Sequence, residues 1–475
     1  MASEQRGSAP GTVPTPPITR VVLIAAAAAM GGFLFGFDTA VINGAVGAVG
    51  EWSGAGSVLL GFSVASALIG CAVGAWFAGG VAAKLGRIRV MQIAAILFFV
   101  TSLACGLAWD IWSLTFFRFA GGLAVGAASV IAPAYIAEVS PAPVRGRLGS
   151  LQQLAIVLGI FVSLLSNYAL AQAAGGAANE LWFGLDAWRW MFIAECVPAV
   201  IYGLLASMIP ESPRFLVGKG RDDEAERVLE HYVGGTPTEK ITEIRSTLSD
   251  ERTQSIAVLR GVRFGLIPIV WVGILLSLFQ QLVGINVIFY YSTMLWEAVG
   301  FDESDALLTS VITSIVNITT TIVAILLVDK VGRKPLLLIG SAGMLVTLGT
   351  MAGIFGTAPT EMVGGEVQPV LSDTAGIVAV LAANLYVVFF GVSWGPVVWV
   401  LLGEMFSNRV RAYAISVAAA AQWIANFTVS LTFPALADAG LGLAYGLYAT
   451  MAAVSLFFVW KFVRETKGRE LESME

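Results

Sequence analysis

Lys84-Leu85-Gly86-Arg87 returns about 250 residues later as Lys330-Val331-Gly332-Arg333. Glu138, followed by Arg145, returns as Glu404 and Arg411, and Pro210-Glu211-Ser212 has a looser echo in Arg464-Glu465-Thr466. Long apolar segments separate these charged stretches. Duplication copies rare charged loops together with the helices they join, so the pattern predicts a membrane protein of two related halves.

Composition points the same way. Of 475 residues, 57% are hydrophobic and 12% charged, against roughly a quarter charged in soluble proteins. Stretches of about 20 apolar residues, enough to cross a ~30 Å hydrocarbon core, recur throughout. Twelve spans are expected, near 21–49, 57–82, 90–109, 111–137, 148–173, 187–209, 264–297, 306–328, 335–356, 376–403, 410–437 and 441–462. Each is expected to be helical, because backbone polar groups find no water in lipid. The fold class is an all-α membrane protein of two six-helix bundles, with a transporter's duplicated plan.

Lys84, Arg87, Arg89, Arg145, Arg147, Lys330, Arg333, Lys334, Arg409 and Arg411 follow even-numbered spans, as do the stretch from Arg214 to Arg263 and the tail from Lys461 to Arg469. The alternate loops carry Glu51, Asp110, Glu180, Asp186, Glu297, Asp302, Glu303, Asp305, Glu361, Glu366, Asp373 and Asp438, with Arg189 the basic exception. Basic loops stay in the cytoplasm, so both termini are expected there, in an inner or plasma membrane. The expected divisions are a disordered tail at 1–19, a bundle at 20–210, a cytoplasmic helical linker at 211–263, a bundle at 264–463 and a tail at 464–475. Within the linker, helices are expected to start at Asp222 and to cover Pro237 to Asp250, with acids at the positive end of the first. The first 19 residues are expected to form no cleavable leader, with span 1 acting as the insertion signal.

Other features carry less. Cys71, Cys105 and Cys196 lie in apolar segments and predict no disulfides. The sequons at Asn317 and Asn426 fall inside spans. His231, the single histidine, reads as a solvated linker residue rather than a pH sensor. Gly70, Gly74, Gly32 and Gly36 read as close-packing positions, and Gly121 to Gly126 is no nucleotide loop because no strand precedes it. No metal, cofactor or nucleic-acid partner is implied, and no nucleophile–base pair suggests an enzyme.

The chain resembles the sugar porters of the major facilitator superfamily, from span 1 to the tail. The likeness rests on Gly32-Phe33-Leu34-Phe35-Gly36-Phe37-Asp38, Pro133 to Glu138 with Arg145-Gly146, Pro210 to Arg214, Gln280-Gln281-Leu282-Val283-Gly284-Ile285-Asn286, Trp394-Gly395-Pro396, Gln422-Trp423 and Glu465-Thr466-Lys467-Gly468. It implies two bundles alternating between outward- and inward-open states around a central sugar site. Three departures stand out: Ala83 where the first gating loop usually has Asp, although the second copy keeps Asp329; Phe37 for a common Tyr; and Arg464 for the usual Pro. The first could shift the balance between open states.

Sugars are neutral and covered in hydroxyls that both donate and accept. Carboxamides match them without burying a charge, and aromatic faces cover the C–H side of the ring. By resemblance, Gln153, Gln280, Gln281, Asn286, Trp399 and Gln422 match sugar contacts, with Phe35, Asn317, Gly395 and Trp423 as further positions. From the residues alone, these amides serve equally well as glue between helices. Tyr290 and Tyr291 are expected to form an outer gate.

Asp38, Arg118 and Glu195 are ionisable residues inside spans 1, 4 and 6. A midspan charge costs roughly 2.5–3.5 kcal/mol, so each needs a partner or a wet cavity. One reading is a structural ion pair. The other is proton coupling, with Asp38 taking up and releasing the proton, Arg118 its switchable partner and Glu195 a secondary acid. The resemblance implies an acid at Asp38 in proton-coupled members, though some facilitators keep it. Glu138, Arg145, Glu211, Arg214, Arg333, Glu404 and Arg411 are expected to bridge the halves when the cytoplasmic side is closed. The reading is a hexose:proton symporter, glucose first, acting as a monomer. Its alternatives are a uniporter with the same site and a non-transporting sensor.

Overall fold

The computed structural model describes residues 18–141, 145–233, 236–251, 259–263, 265–297, 300–363, 366–369, 371–406 and 410–466. Among them are twelve helical spans long and apolar enough to cross a membrane. In chain order they are Thr19–Ser53, Ser57–Leu85, Arg87–Gly106, Ile111–Val139, Leu148–Ala174, Ala187–Met208, Pro268–Glu297, Glu303–Val328, Arg333–Thr357, Asp373–Glu404, Tyr413–Ala439 and Leu441–Phe462, numbered here as spans 1 to 12. The twelve expected spans are all present, with ends shifted by a few residues. Two short antiparallel ribbons, Glu180–Trp182 with Leu185–Asp186 and Thr360–Val363 with Glu366–Pro369, were not expected. Both lie in connections between spans that are too short to carry a helical period.

Three spans are interrupted. Span 6 breaks at Glu195, between helices Ala187–Ala194 and Cys196–Met208. Span 7 breaks between Pro268–Leu282 and Ile285–Glu297, where Gly284 takes φ +85°. Span 10 breaks between Asp373–Gly391 and Trp394–Glu404. Irregular backbone at membrane depth persists only where protein or a cavity satisfies it. These breaks therefore mark places to look for a site.

Within the halves, spans 1 and 5, 2 and 4, and 9 and 12 pack most extensively. Spans 1 with 7, 2 with 11 and 5 with 8 join the halves. Glycine permits the closest approaches. A Cβ on Gly36 would lie 1.9 Å from the Ile156 carbonyl oxygen, and one on Gly159 2.2 Å from that of Phe33. The same happens between Gly70 and Phe119 at 2.0 Å and between Gly122 and Ala67 at 2.1 Å.

The buried apolar residues are not divided evenly. One cluster takes Phe37 to Val49, Leu60 to Leu68 and Trp188 to Phe192 of the first half and continues into Val270 to Val463 of the second. It joins the halves at the end of the bundle that carries the acidic loops. At the basic end, Val21 to Leu34, Ala78 to Phe98, Ala124 to Leu148 and Ala199 to Ala206 form their own cluster within the first half. After span 6, helices Pro213–Gly218, Asp222–Val228 and Pro237–Glu251 enclose a small core of Phe215, Leu216, Val217 and Ala225 against Ile241, Ile244 and Leu248.

Gly36→Val should force spans 1 and 5 apart at a backbone contact, costing at least ~1–3 kcal/mol. A lower thermal midpoint and a broadened size-exclusion peak in detergent are expected. Gly79→Val, which meets nothing within 4 Å, should leave both unchanged.

Candidate functional site

The break in span 7 gathers the amides. Gln280 and Gln281 end its first helix and Asn286 begins its second, so a turn rather than a helical face brings them together. The Asn286 amide donates to Gln281 Oε1 at 2.5 Å. Gln280 Nε2 donates to the carbonyls of Trp394 and Gly395 at 2.8 and 3.1 Å, tying span 7 to the break in span 10. The Tyr386 hydroxyl donates to the Val283 carbonyl at 2.8 Å and supports the same junction. Gly284 is fixed there by its left-handed backbone and by the ring of Tyr448, 2.7 Å from where a Cβ would stand.

These contacts leave acceptors unused. Among the described residues, Gln280 Oε1 and Gln422 Oε1 are buried without a partner. A buried orphan acceptor costs about 1–3 kcal/mol, and a donor arriving from a solute would recover it. Phe35 meets Trp423 edge-on, ring centroids 5.8 Å apart, across the two halves. Trp399 is 43% exposed rather than packed. Gln153 and Gln422 are half-buried and Asn317 is buried. No described side-chain hydrogen bond joins these three to the span 7 group. The structure thus brings together Gln280, Gln281, Asn286 and Gly395 by direct bonds, and Phe35 with Trp423 by ring contact.

Beside this group, Asp38 and Arg118 line a small cavity of about 10 Å³ with Phe35, Thr39, Cys71 and Tyr290. That is near the minimum for one water. Asp38 is 7% exposed and Arg118 4%, yet among the described residues no ion pair joins them. Arg118 Nε and Nη1 have no partner among those residues, and the guanidinium lies 5.6 Å from the Phe192 ring centroid. Glu195, at the break in span 6, accepts from Ser102 Oγ at 2.7 Å while its other oxygen is unpartnered. Two buried ionisable groups, Arg118 and Glu195, thus sit incompletely satisfied in the half that holds Asp38. Tyr290 borders the same cavity from span 7, and its hydroxyl accepts from Asn426 at 3.5 Å. Tyr291 is fully buried, donating to the Ser430 carbonyl at 2.8 Å and packing on Phe433.

The halves are fastened at the acidic end by a residue that sequence reasoning missed. Asn43, in span 1, donates to the Phe289 carbonyl at 3.1 Å and to Ser292 Oγ at 2.7 Å. It accepts from the Thr293 N–H at 3.1 Å and from the Thr293 hydroxyl. Gln172 bonds Ser304, and the Ala177 N–H bonds Glu303 at 2.7 Å, on the same side. A polar amide in an apolar span close to Asp38 was the available signal.

At the basic end, the charged repeats close on themselves. Arg87 grips Glu138 through two bonds of 3.0 and 2.8 Å, and Arg333 grips Glu404 through two of 3.0 and 2.6 Å. Glu211 accepts from the N–H groups of Arg87, Ile88 and Ser212, and Glu465 from those of Arg333, Lys334 and Thr466. Ser212 and Thr466 complete the copies by donating to Glu138 and Glu404. Of the residues expected to bridge the halves when the cytoplasmic side is closed, Glu138, Glu211, Arg333 and Glu404 make these bonds within their own halves in this conformation. Arg214 is placed at the start of the Pro213–Gly218 helix. The side chains of Arg145, Arg411 and Asp329 lie outside the described residues.

Two six-span halves, joined around a midspan amide group and a buried carboxyl, define a secondary transporter of the major facilitator superfamily. A family description, "Sugar (and other) transporter", matches residues 24–475, and the chain belongs to that family. It is 58% identical over 456 residues to a glucose transport protein of Synechocystis sp., covering 96% of this chain and 97% of that protein. It is 38% identical over 484 residues to the D-xylose-proton symporter of Escherichia coli K12, covering 94% of each. Among solved structures, an inward-open conformation of the E. coli xylose transporter XylE matches with TM-score 0.80 and 37% identity, over 96% of this chain and 99% of that one. XylE bound to 6-bromo-6-deoxy-D-glucose matches with TM-score 0.77 and 36% identity, over 96% of this chain and 98% of that one.

Asn43→Ala removes four bonds from the contact between the halves, each worth about 0.6 kcal/mol in a membrane. Spin labels at Ala173 and Asp305, in a background without the native cysteines, should show a larger longer-distance population by pulsed electron resonance.

Proposed function

We propose that this chain imports glucose together with protons across the inner membrane by alternating access, as a monomer with both termini in the cytoplasm. The observation that carries the reading is the sharing of span 7. It holds Gln280, Gln281 and Asn286 at its break and lends Tyr290 to the cavity of Asp38 and Arg118. A solute bound at the break and a proton taken up by Asp38 would therefore act on one moving helix. The 58% identity to a glucose transport protein favours glucose, and the likeness to a proton symporter favours coupling.

In this reading the sugar's hydroxyls donate to the unpartnered Gln280 and Gln422 oxygens and pair with Gln153, Gln281, Asn286 and Asn317. Phe35, Gly395, Trp399 and Trp423 border the ring. The conformation is inward-facing: the acidic, external end is sealed by Asn43 and the shared apolar cluster, while the charged repeats stay within their own halves. Tyr290 and Tyr291 form part of the outer closure. When the cytoplasmic end closes, Glu138, Arg145, Glu211, Arg214, Arg333, Glu404 and Arg411 come to face one another across the halves. Arg118, two of whose nitrogens are orphaned here, gains the Asp38 carboxylate in another state, and Glu195 serves as the secondary acid. The residues at 1–19 and 464–475 act as cytoplasmic tails, and 211–263 as a cytoplasmic layer between the bundles at 20–210 and 264–463.

One proton carries ~2.3 kcal/mol per 100 mV, which supports roughly fifty-fold accumulation. Labelled glucose should concentrate in proteoliposomes under an inward proton gradient and be released by a protonophore. Equilibration without accumulation would leave a uniporter. Asp38→Asn should retain exchange but lose accumulation, and accumulation by that variant would overturn the coupling assignment. Gln281→Ala should lose glucose binding by at least ten-fold, read as loss of ligand-induced change in tryptophan fluorescence, because it leaves hydroxyls and Asn286 unpaired.

A further inference from the structure

Spans 9 and 12 do not lie flush. Toward the acidic end they nearly touch, a Cβ on Gly442 coming within 2.5 Å of Gly356 Cα. Along their inner side, Ser341 and Ser455 share a hydroxyl hydrogen bond of 3.0 Å. Toward the basic end the outer surfaces separate into a groove of about 590 Å³. Ala342 and Ala453 leave its floor open, and Leu338, Ile339, Phe457 and Trp460 form its walls. On span 12 the lining runs from residue 453 to 460, about 10 Å of helix. The lining is apolar throughout, and Ile339, Phe457 and Trp460 are each more than half exposed.

Charge is confined to one end of this groove. Lys334 Nζ donates to the Trp460 carbonyl at 2.9 Å, and Lys461 Nζ lies 5.4 Å from the centre of the Phe457 ring. Both ammonium groups thereby lie against wall residues, that of Lys461 also 5.5 Å from the Phe462 ring. An ammonium has three donors, and the Trp460 bond uses one of those on Lys334. The adjacent carboxylate, Glu465, is directed at the N–H groups of Arg333, Lys334 and Thr466. An apolar slot ending in two cations at the membrane surface matches a molecule with a hydrocarbon chain and a negatively charged head.

We propose that the groove between spans 9 and 12 is a binding site for an anionic phospholipid, one acyl chain lying along Ala342 and Ala453 and the phosphate held by Lys334 and Lys461. The site faces the surrounding bilayer, away from the solute path, and does not depend on which solute is carried.

Native mass spectrometry of the purified full chain, titrated with phosphatidylglycerol or with phosphatidylethanolamine of the same chain length, tests this. Phosphatidylglycerol should be retained preferentially. Lys334→Gln and Lys461→Gln should each weaken its retention about five-fold, while Lys461→Arg restores it. Ala453→Trp fills the groove and should reduce retention with both lysines in place. Lys461 is exposed, so its variants test the idea even if Ala453→Trp fails to fold. Equal retention of the two lipids, or phosphatidylglycerol binding indifferent to Lys461→Gln, would overturn the proposal. A dimer mass abolished by Ala453→Trp would assign the groove to a second copy instead.

Discussion

A carboxylate seated on the start of a helix, gripped beside an arginine–carboxylate fork, organises the basic end of each half. Glu211 against Arg87 and Ile88, with Arg87 on Glu138, is reproduced by Glu465 against Arg333 and Lys334, with Arg333 on Glu404. Charge-assisted bonds to backbone N–H groups and paired Arg–carboxylate bonds are the stronger kinds of hydrogen bond. Glycine is required at both turns: Gly86 and Gly332 have φ of +99° and +105°, and a Cβ would meet the carboxylate at 2.3 and 2.8 Å. Each cluster locks neighbouring spans into a body, which is what a rocking mechanism needs. A body that deformed internally could not transmit motion from one face of the membrane to the other.

With the basic ends locked within halves, the contact between halves is left to the other end. There a continuous apolar cluster and the four bonds of Asn43 hold spans 1 and 7 together. Apolar packing gives little preference for register, since lipid competes with it on equal terms. The polar latch supplies direction, because Asn43 is satisfied in one arrangement and must exchange its partners to leave it. Between latch and clusters sit the breaks of spans 6, 7 and 10, where orphan groups on Gln280, Gln422, Arg118 and Glu195 collect. These are costs that a stable scaffold would avoid and that a binding, moving site can use.

The twelve spans, the linker helices and the repeat were all legible, because hydropathy and charge are properties of single segments. The breaks were less so. Gly284 marked the one in span 7, but Glu195 and the Val392-Ser393 step lie in stretches that read as continuous helix. Of the candidate site, Gln280, Gln281 and Asn286 stood out as midspan amides, and only the resemblance marked them as sugar contacts rather than glue between helices. Asn43 could not be separated from any other midspan amide, since its role depends on residues about 250 positions away.

The sequence by itself determined that the chain crosses a membrane twelve times, that it is a duplicated structure and that a few polar residues lie where polarity is costly. Each follows from the energetics of one helix in hydrocarbon. Tertiary structure decided which of those residues meet, which remain unpartnered and at which end the halves close. Those outcomes depend on distances between helices, set by glycine contacts and backbone breaks whose effect appears only when two spans are placed side by side.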